Sequence, residues 1–239
     1  MNGRIIRPES VGDINFQECG RVHIGMKSEK GYPMSIDYFR PTGKYAELFT
    51  KVLGEKPTTL TILFTSDDPA KVCNERYEYR DNSGALVSYG DGEVFYVWDG
   101  KQYAPFLVKD YPDIMQRIVQ RYPTKKGADG WAVTLRMQFL IPALAGVICS
   151  WGFATKGAAS SIRNIREAFD GVLALRGTVK GTAFDLSVQM HKSNKPGASS
   201  RYPVVTLVAN DTRVQEIREM LRQKESGNLL IGRASDGKN

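Results

Sequence analysis

The order of hydrophobic and polar positions near the start of the chain predicts two short strands joined by a turn. Residues 20–26 and residues 35–39 each alternate between apolar and polar side chains, which is the period of a half-buried strand. The turn Gly31-Tyr32-Pro33 separates these two segments. Pro41 is predicted to end the second strand.

A helix is predicted next, with Thr42 as its cap and Gly54 in the position that glycine often takes just after a helix. Hairpins follow it, because apolar segments alternate with turns at residues 66–69, 81–84 and 90–92. The strands between these turns are predicted at residues 60–64, 73–80, 86–89 and 94–98. The helix itself has apolar positions at Tyr45, Leu48, Phe49 and Val52.

The second half of the chain again mixes strands with single helices. One helix is predicted to start at Asp110-Tyr111-Pro112, a second to run from Ser160 to Leu175, and a third to begin at Asp211. Residues 125–130 are rich in lysine and glycine and form the best internal boundary. Strands are predicted at residues 131–141, 147–154, 184–191 and 202–208.

This order of elements lacks the regular strand–helix alternation of a Rossmann fold, so the predicted fold class is α+β. We expect mixed or antiparallel sheets with three to four helices. Residues 1–124 are predicted to form an N-terminal αβ region, and residues 125–225 a basic C-terminal αβ region packed on it as one unit. Residues 226–239 are expected to be a flexible, glycine-containing tail.

The formal net charge of +7 comes entirely from the second half of the chain. Residues 1–109 carry 14 Lys and Arg against 15 Asp and Glu, which gives −1. Residues 110–239 carry 19 against 11, which gives +8. A localised basic excess favours a polyanionic partner, because binding releases the counterions of that partner.

Residues 151–161 resemble a phosphate-binding loop in outline, since a strand passes through a glycine-containing turn into a helix. The order of a Walker A motif is absent, because Lys156 precedes its glycine. Backbone N–H groups near Ser160, together with Lys156 and Arg163, would still make a weak anion site. The alternative is that Ser160 only caps the helix and Gly157 only makes the turn.

Further cationic side chains extend this candidate phosphate surface. Arg166 lies on the polar side of the same predicted helix, while Lys192, Lys195 and Arg201 surround a small polar loop. We expect the loop and the segment from Lys156 to Arg166 to share one basic surface. An ordinary solvated hairpin loop is the alternative interpretation.

Catalytic, metal and cofactor sites have little support in the sequence. The chain has only two histidines, His23 and His191, each inside a predicted strand, and no zinc-ligand spacing occurs. Asp67 and Asp68 form an adjacent acidic pair that is suited to Mg²⁺, but they are also typical of a turn. We therefore expect no catalytic residue, no metal and no cofactor.

The cysteines and the apolar segments indicate a cytoplasmic protein. Cys19, Cys73 and Cys149 lie far apart and are odd in number, so reduced thiols are expected. The longest stretch of low charge, residues 137–153, is shorter than the roughly 20 apolar residues that cross a bilayer. Secretory signals are not evident at the N-terminus, and no membrane partner is expected.

Aromatic residues concentrate in the predicted hairpins between residues 77 and 103. Exposed aromatic side chains on a sheet can stack with the bases of a single strand. Packing in the core and between neighbouring strands is the more ordinary use of such residues.

Four phrases stand out in the first 110 residues. They are Gly20-Arg21-Val22-His23-Ile24-Gly25, residues 31–39 (Gly-Tyr-Pro-Met-Ser-Ile-Asp-Tyr-Phe), Gly54-Glu55-Lys56-Pro57-Thr58 and Ser66-Asp67-Asp68-Pro69. In combination they resemble the phage recombination directionality factor family. The resemblance implies a non-enzymatic accessory that binds a serine integrase on DNA and shifts its preference from integration to excision. It supplies no catalytic residues.

Three functions are consistent with these observations. The first is an accessory of a phage or mobile element that acts on a serine integrase or another recombination protein, touching DNA directly or through that partner. The second is a replication or repair protein that binds single-stranded DNA through its basic half and its aromatic side chains. The third is a phosphate-handling enzyme that uses Asp67, Asp68 and Lys156.

Overall fold

The computed structural model describes residues 16–144, 146–193 and 200–210, together with the single positions 219 and 222. Within these residues it contains four α-helices and eleven strands, so the predicted α+β class is confirmed. The helix expected after Asp211 and the tail after residue 225 lie outside the described ranges. The helices are α1 (Ala46–Leu53), α2 (Pro69–Val72), α3 (Ile114–Arg121) and α4 (Arg163–Arg176).

The strands form one large and one small sheet. The large sheet has the order β2-β1-β9-β8-β4-β5-β6-β7, and the small sheet has the order β11-β10-β3. All pairs are antiparallel except β1 with β9. The strands are β1 (Glu18–Lys27), β2 (Pro33–Gly43), β3 (Thr59–Leu63), β4 (Cys73–Arg80), β5 (Leu86–Gly90), β6 (Val94–Trp98), β7 (Tyr103–Leu107), β8 (Trp131–Phe139), β9 (Ser150–Thr155), β10 (Ala183–Lys192) and β11 (Arg201–Ala209).

The large sheet joins segments from both sides of residues 125–130. β8 and β9 follow this boundary in sequence, yet they lie between β1 and β4 in the sheet. Across this sheet, strands from before the boundary therefore flank the two strands that follow it, within one hydrogen-bonded layer. Within the described part of the chain, no helix has both the length and the apolar composition needed to cross a membrane.

One face of the large sheet is buried, and its apolar side chains belong to two clusters. In the first cluster, Phe64 of the chain after β3 meets Phe169 of α4, with ring centroids 5.0 Å apart, and Phe184 of β10 at 5.2 Å. In the second cluster, Tyr79 of β4 packs with the apolar side of α3, including Ile118. Aromatic edge-to-face contacts of this kind add to the free energy of burial. The helices and the small sheet thus lie against this face.

Prolines in strands explain two errors of the sequence-based prediction. β2 continues through Pro41 to Gly43, and β7 contains Pro105 and was not predicted at all. Both strands lie at the edges of the large sheet, where a residue without an N–H group does not interrupt a ladder. Because β2 extends so far, α1 begins at Ala46 rather than after Thr42.

The bounds of several other elements differ from the prediction. The segment Ser66-Asp67-Asp68-Pro69 leads into the short helix α2, for which the Asp68 carboxylate accepts a hydrogen bond from the N–H of Ala70. α3 begins at Ile114, not at residue 110. β8 ends at Phe139 and β9 begins at Ser150, so both strands are shorter than expected at these ends.

The expectation of three reduced thiols is wrong, because Cys19 and Cys149 form a disulfide. The parallel pairing of β1 with β9 places Glu18 opposite Ser150 and brings the two cysteine Cα atoms to 5.8 Å. This separation lies within the range that disulfides require. Sequence spacing gave no sign of it, since 130 residues separate the two cysteines. Cys73 is free and buried.

Candidate functional site

The second face of the large sheet carries polar and aromatic side chains instead of a core. Successive side chains of a strand point to opposite faces, so the residues of β4 that alternate with buried Tyr79 lie on this second face. Strand register places residues of β1, β5, β6, β7 and β8 beside them. We call this surface the open face, and its members are Arg21, Asn74, Arg76, Glu78, Arg80, Tyr89, Tyr96, Trp98, Tyr103, Thr134, Arg136 and Gln138.

Three arginines converge on one buried carboxylate in the middle of the open face. The side chain of Glu78 is 1% exposed, and it accepts hydrogen bonds from Arg76, Arg80 and Arg136. The Arg136 Nε atom lies 2.5 Å from Oε1, Arg76 Nη2 lies 2.9 Å from Oε1, and Arg80 Nη2 lies 2.9 Å from Oε2. One negative charge is thus shared by three positive ones, which leaves the cluster cationic.

The arginines keep Glu78 ionised. Burial alone would raise the pKa of this carboxyl, but the hydrogen bonds and charges of Arg136, Arg80 and Arg76 outweigh it and lower the pKa to about 2. Glu78 is therefore a carboxylate at any physiological pH. Because its oxygens accept from all three guanidinium groups, it fixes their positions on the sheet.

Lys156 adds a further positive charge to this cluster. Burial lowers its pKa, and the charges of Arg80, Lys126 and Arg136 lower it further, while Glu78 acts in the opposite direction. Lys156, one of the residues proposed from the sequence as phosphate contacts, therefore interacts electrostatically with the arginines of the open face.

Aromatic side chains continue the open face beyond the arginines. The guanidinium carbon of Arg76 lies 4.2 Å from the centre of the Tyr89 ring, a cation–π contact. Tyr89 in turn stacks on Tyr96, with ring centroids 5.1 Å apart and planes inclined by 15°. Trp98 and Tyr103 form a tilted pair at 5.2 Å. Tyr96 and Trp98 are each 37% exposed, so an aromatic patch borders the arginine cluster.

A cleft of about 200 Å³ opens between β1, β4 and β8 at the cationic end of the open face. Four cationic side chains and one acidic side chain line it, which gives an excess of three positive charges. Asn74 and Gln138 provide amide groups in the same wall. The charged lining residues are Glu18, Arg21, Lys71, Arg76 and Arg136. This arrangement is suited to binding an anionic group.

The hydroxyl of Thr134 is buried on the open face without a hydrogen-bond partner in the described part of the chain. Thr134 pairs with Arg76 in the register of β8 and β4, and the residue is 2% exposed. Buried polar groups are nearly always hydrogen-bonded in folded proteins, so this hydroxyl is an exception within the open face.

The predicted contacts at the start of α4 already have protein partners. Ser160 lies inside a π-helical turn, Ala158–Ile162, and is not the cap of the helix; its N–H donates to the carbonyl oxygen of Gly157 at 3.3 Å. The Nε atom of Arg163 lies 2.7 Å from a carboxylate oxygen of Glu167. Arg166 donates to the carbonyl oxygen of Cys73 and forms an ion pair with Asp170. Phosphate binding by these three residues stays a prediction.

The predicted loop contacts lie at the end of the small sheet. Lys192 and Arg201 are cross-strand partners at the ends of β10 and β11. Lys195 lies outside the described residues. The basic surface that was expected to join this loop to Lys156 stays a prediction.

The remaining chemical candidates have structural partners. The Asp67 carboxylate accepts hydrogen bonds from the hydroxyl of Thr178 and from the N–H groups of Val179 and Lys180. The His23 Nε2 atom lies 2.9 Å from the Thr42 hydroxyl, and burial followed by two nearby arginines lowers its pKa. Among the described residues, no group of three His, Cys, Asp or Glu side chains is arranged to hold a metal ion.

The arginine cluster was missed because charge was counted along the chain and not across strands. Arg76, Glu78 and Arg80 belong to the half of the chain with a net charge near zero. Their alternation with Tyr77 and Tyr79 is a signal that was available, since a strand places every second residue on one face. The contributions of Arg136 and Lys156 required the order of the sheet.

Comparison with protein families places most of the described chain in a known family. A family model described as Gp3-like, recombination directionality factor-like, matches residues 19–210, which include every described strand except the first residue of β1. No curated protein and no solved structure matched the chain.

Proposed function

This chain belongs to the Gp3-like family of recombination directionality factor-like proteins, and we propose that it binds a serine integrase–DNA complex and redirects recombination toward excision. The family assignment indicates a role as a recombination accessory. The proposal adds the class of recombinase and the direction of the change. A phage or other mobile element replicating in a bacterial cytoplasm is the setting in which such a protein acts.

The observation that carries the proposal is the family match together with the open face. This face combines three arginines held by Glu78 with exposed Tyr96 and Trp98. Arginine, tyrosine and tryptophan are the residue types that contribute most to binding energy at protein interfaces. A cationic and aromatic surface supports a function in binding, and we propose that the protein is not an enzyme.

Binding alone is sufficient to reverse the outcome of a recombinase. A ligand shifts an equilibrium between two arrangements by its difference in affinity for them. Moving a population from about 1:99 to about 99:1 requires roughly 10⁴-fold tighter binding to one arrangement. An accessory protein can therefore favour the excision complex without contributing a catalytic group.

The test is a reconstituted recombination reaction with a purified serine integrase. One DNA substrate carries the two junction sites of an integrated element, and a second pair of substrates carries the two sites used for integration. We expect the protein to increase product from the first and to decrease product from the second. Unchanged yields of both products at saturating protein would contradict the proposal.

Direct binding to single-stranded DNA is the second candidate function. The observation that favours it is the presence of arginines and aromatic side chains on one sheet face, the combination used by proteins that bind single strands. An oligothymidine titrated with the full chain across a salt series tests this function. Affinity that falls steeply with salt concentration supports it, and absence of binding at low salt excludes it.

A further inference from the structure

We infer that the open face is the surface on which the protein docks its recombinase, and that the docked segment is acidic, with carboxylates entering the cleft between Arg21, Arg76 and Arg136. This inference rests on the proposed function, because it names the surface and the chemistry of the partner.

Charge complementarity is the first argument for an acidic segment. The cleft has an excess of three positive charges, and the carboxylate that balances part of them, Glu78, is buried beneath. Arg76 and Arg136 hydrogen-bond to Glu78 through Nε and Nη2, whereas their Nη1 groups donate to no acceptor in the described part of the chain. Guanidinium groups bind carboxylates through two parallel hydrogen bonds, so these remaining donors are suited to a carboxylate from outside.

A glycine in the floor of the cleft lets two charged side chains lie close to the sheet. A Cβ atom added to Gly152 of β9 would meet a Glu18 carboxylate oxygen at 3.0 Å and the Arg21 Cγ atom at 3.2 Å. The absence of a side chain at this position therefore leaves room for Glu18 and Arg21, which form one wall of the cleft.

The volume of the cleft favours an inserted side chain over a small molecule. The space is about 200 Å³, whereas pockets for small-molecule ligands measure roughly 300–1,000 Å³. A carboxylate at the end of an aspartate or glutamate side chain requires less space than such a ligand. The surrounding sheet would then contact the rest of the partner segment.

The aromatic patch favours a protein over a nucleic acid. Bases stack on free ring faces, but Tyr89 has Arg76 at 4.2 Å and Tyr96 at 5.1 Å, in a nearly parallel stack. The exposed parts of Tyr96 and Trp98 are suited to contact with apolar side chains of a partner. Rigid aromatic anchors beside arginines are typical of the centre of a protein interface.

The inference is tested by measuring the affinity of the full chain for the serine integrase of the recombination assay. Arg21→Glu reverses a charge in the cleft, Gly152→Val displaces the Glu18 and Arg21 side chains without changing the net charge, and Tyr96→Ala removes an aromatic anchor. Arg21 is 50% exposed and forms a surface ion pair with Glu18, so its reversal should leave the fold intact. Circular dichroism verifies folding of each variant, and Arg21→Lys keeps the positive charge.

Two control variants match these changes on the opposite side of the sheet. Arg117 on α3 is 58% exposed and pairs with Asp113, so Arg117→Glu is the counterpart of Arg21→Glu. Tyr77 is 37% exposed, the same fraction as Tyr96, but its side chain lies on the other face of β4. Tyr77→Ala is therefore the counterpart of Tyr96→Ala.

We expect each open-face variant to weaken binding to the integrase at least about tenfold, with both controls and Arg21→Lys close to wild type. If the wild type binds but the open-face variants bind equally well, the inference is wrong while the proposed function stands. If the wild type does not bind the integrase, both the inference and the proposed function are wrong. If Arg21→Glu instead weakens binding to oligothymidine and leaves integrase affinity unchanged, the occupant is nucleic acid and the inference is overturned.

Discussion

The Nε atom of Arg136 on β8 lies 2.5 Å from the Oε1 atom of Glu78 on β4, although 58 residues separate the two in sequence. This ion pair joins neighbouring strands across the middle of the large sheet. Arg76 and Arg80 depend on the same carboxylate, so removing its charge leaves three guanidinium groups that repel one another.

Glu78→Gln should therefore destabilise the protein by about 3 kcal/mol, the lower end of the range for a broken buried ion pair, because the arginines remain partly exposed to solvent. Urea denaturation followed by circular dichroism measures this loss. Glu75→Gln is the control, since Glu75 is exposed and lies on the other face of β4. Equal midpoints for both variants would show that Glu78 does not organise the cluster.

The stability of the protein should fall in acid because of Glu78. Its folded-state pKa is about 2, against an ordinary value of 4.5, so the carboxylate stabilises the fold fully above pH 4.5. This contribution is lost as the pH falls from 4.5 toward 2. Thermal unfolding across this range should show a component that is absent in Glu78→Gln. The same acid dependence in both proteins would assign it to other carboxylates.

Lys156→Gln should stabilise the protein slightly, whereas Glu78→Gln should destabilise it. Lys156 is exposed overall, but partial burial of its amino group, followed by the positive charges of Arg80, Lys126 and Arg136, lowers its pKa, so a positive charge is disfavoured there. Removing this charge is expected to raise the urea midpoint slightly and to weaken binding to the integrase–DNA complex. Both quantities are measured on the same preparation. A lower midpoint with unchanged binding would identify Lys156 as a structural residue.

Asp67 and Asp68 should differ in their contributions to stability. Asp68 accepts a single cap hydrogen bond from Ala70, and Asp68→Ala is expected to cost about 1 kcal/mol. Asp67 accepts three hydrogen bonds from residues 178–180, so Asp67→Ala should cost more, roughly 2–3 kcal/mol. Chemical denaturation compares the two. Recombination by the folded variants should be largely unchanged, and its loss in a folded variant would indicate a metal site.

The disulfide should stabilise the fold only under oxidising conditions. Cys149→Ser is expected to lower the free energy of unfolding by about 2–4 kcal/mol in the absence of reductant, because the bond to Cys19 restricts the unfolded chain. With dithiothreitol present, the variant and the wild type should unfold alike. Mass spectrometry of unreduced peptides identifies the bond itself. Peptides with free Cys19 in oxidised protein would contradict this prediction.

Local sequence patterns predicted most helices and strands of the fold. They did not predict which strands, distant in sequence, pair with one another. The alternation around Leu60 and the amphipathic spacing around Ile165 and Phe169 reflect interactions within a few residues, and those elements were found. β7 was not predicted because it contains Pro105. A strand accepts a proline when it lies at the edge of a sheet, and the edge position of β7 is known only from the order of the whole sheet.

The candidate site also combines residues that local sequence patterns indicate with residues that only the order of the strands brings together. Lys156 was recognised from its own neighbourhood in the sequence, but its interaction with Arg80 and Arg136 depends on the pairing of β4, β8 and β9. Glu78 was not considered, since a single acidic residue among tyrosines has no motif. Its ion pairs with arginines of two strands become evident only when the strand register is known.

The parallel pairing of β1 with β9 also bears on how the chain is made. β1 is synthesised long before β9, yet β9 (Ser150–Thr155) is one of its two neighbours in the large sheet. Until β9 has been synthesised, β1 presents an unpaired edge, and such edges promote aggregation. A prematurely terminated product that ends before residue 150 cannot complete the large sheet. Synthesis must therefore proceed through β9 before this layer can close.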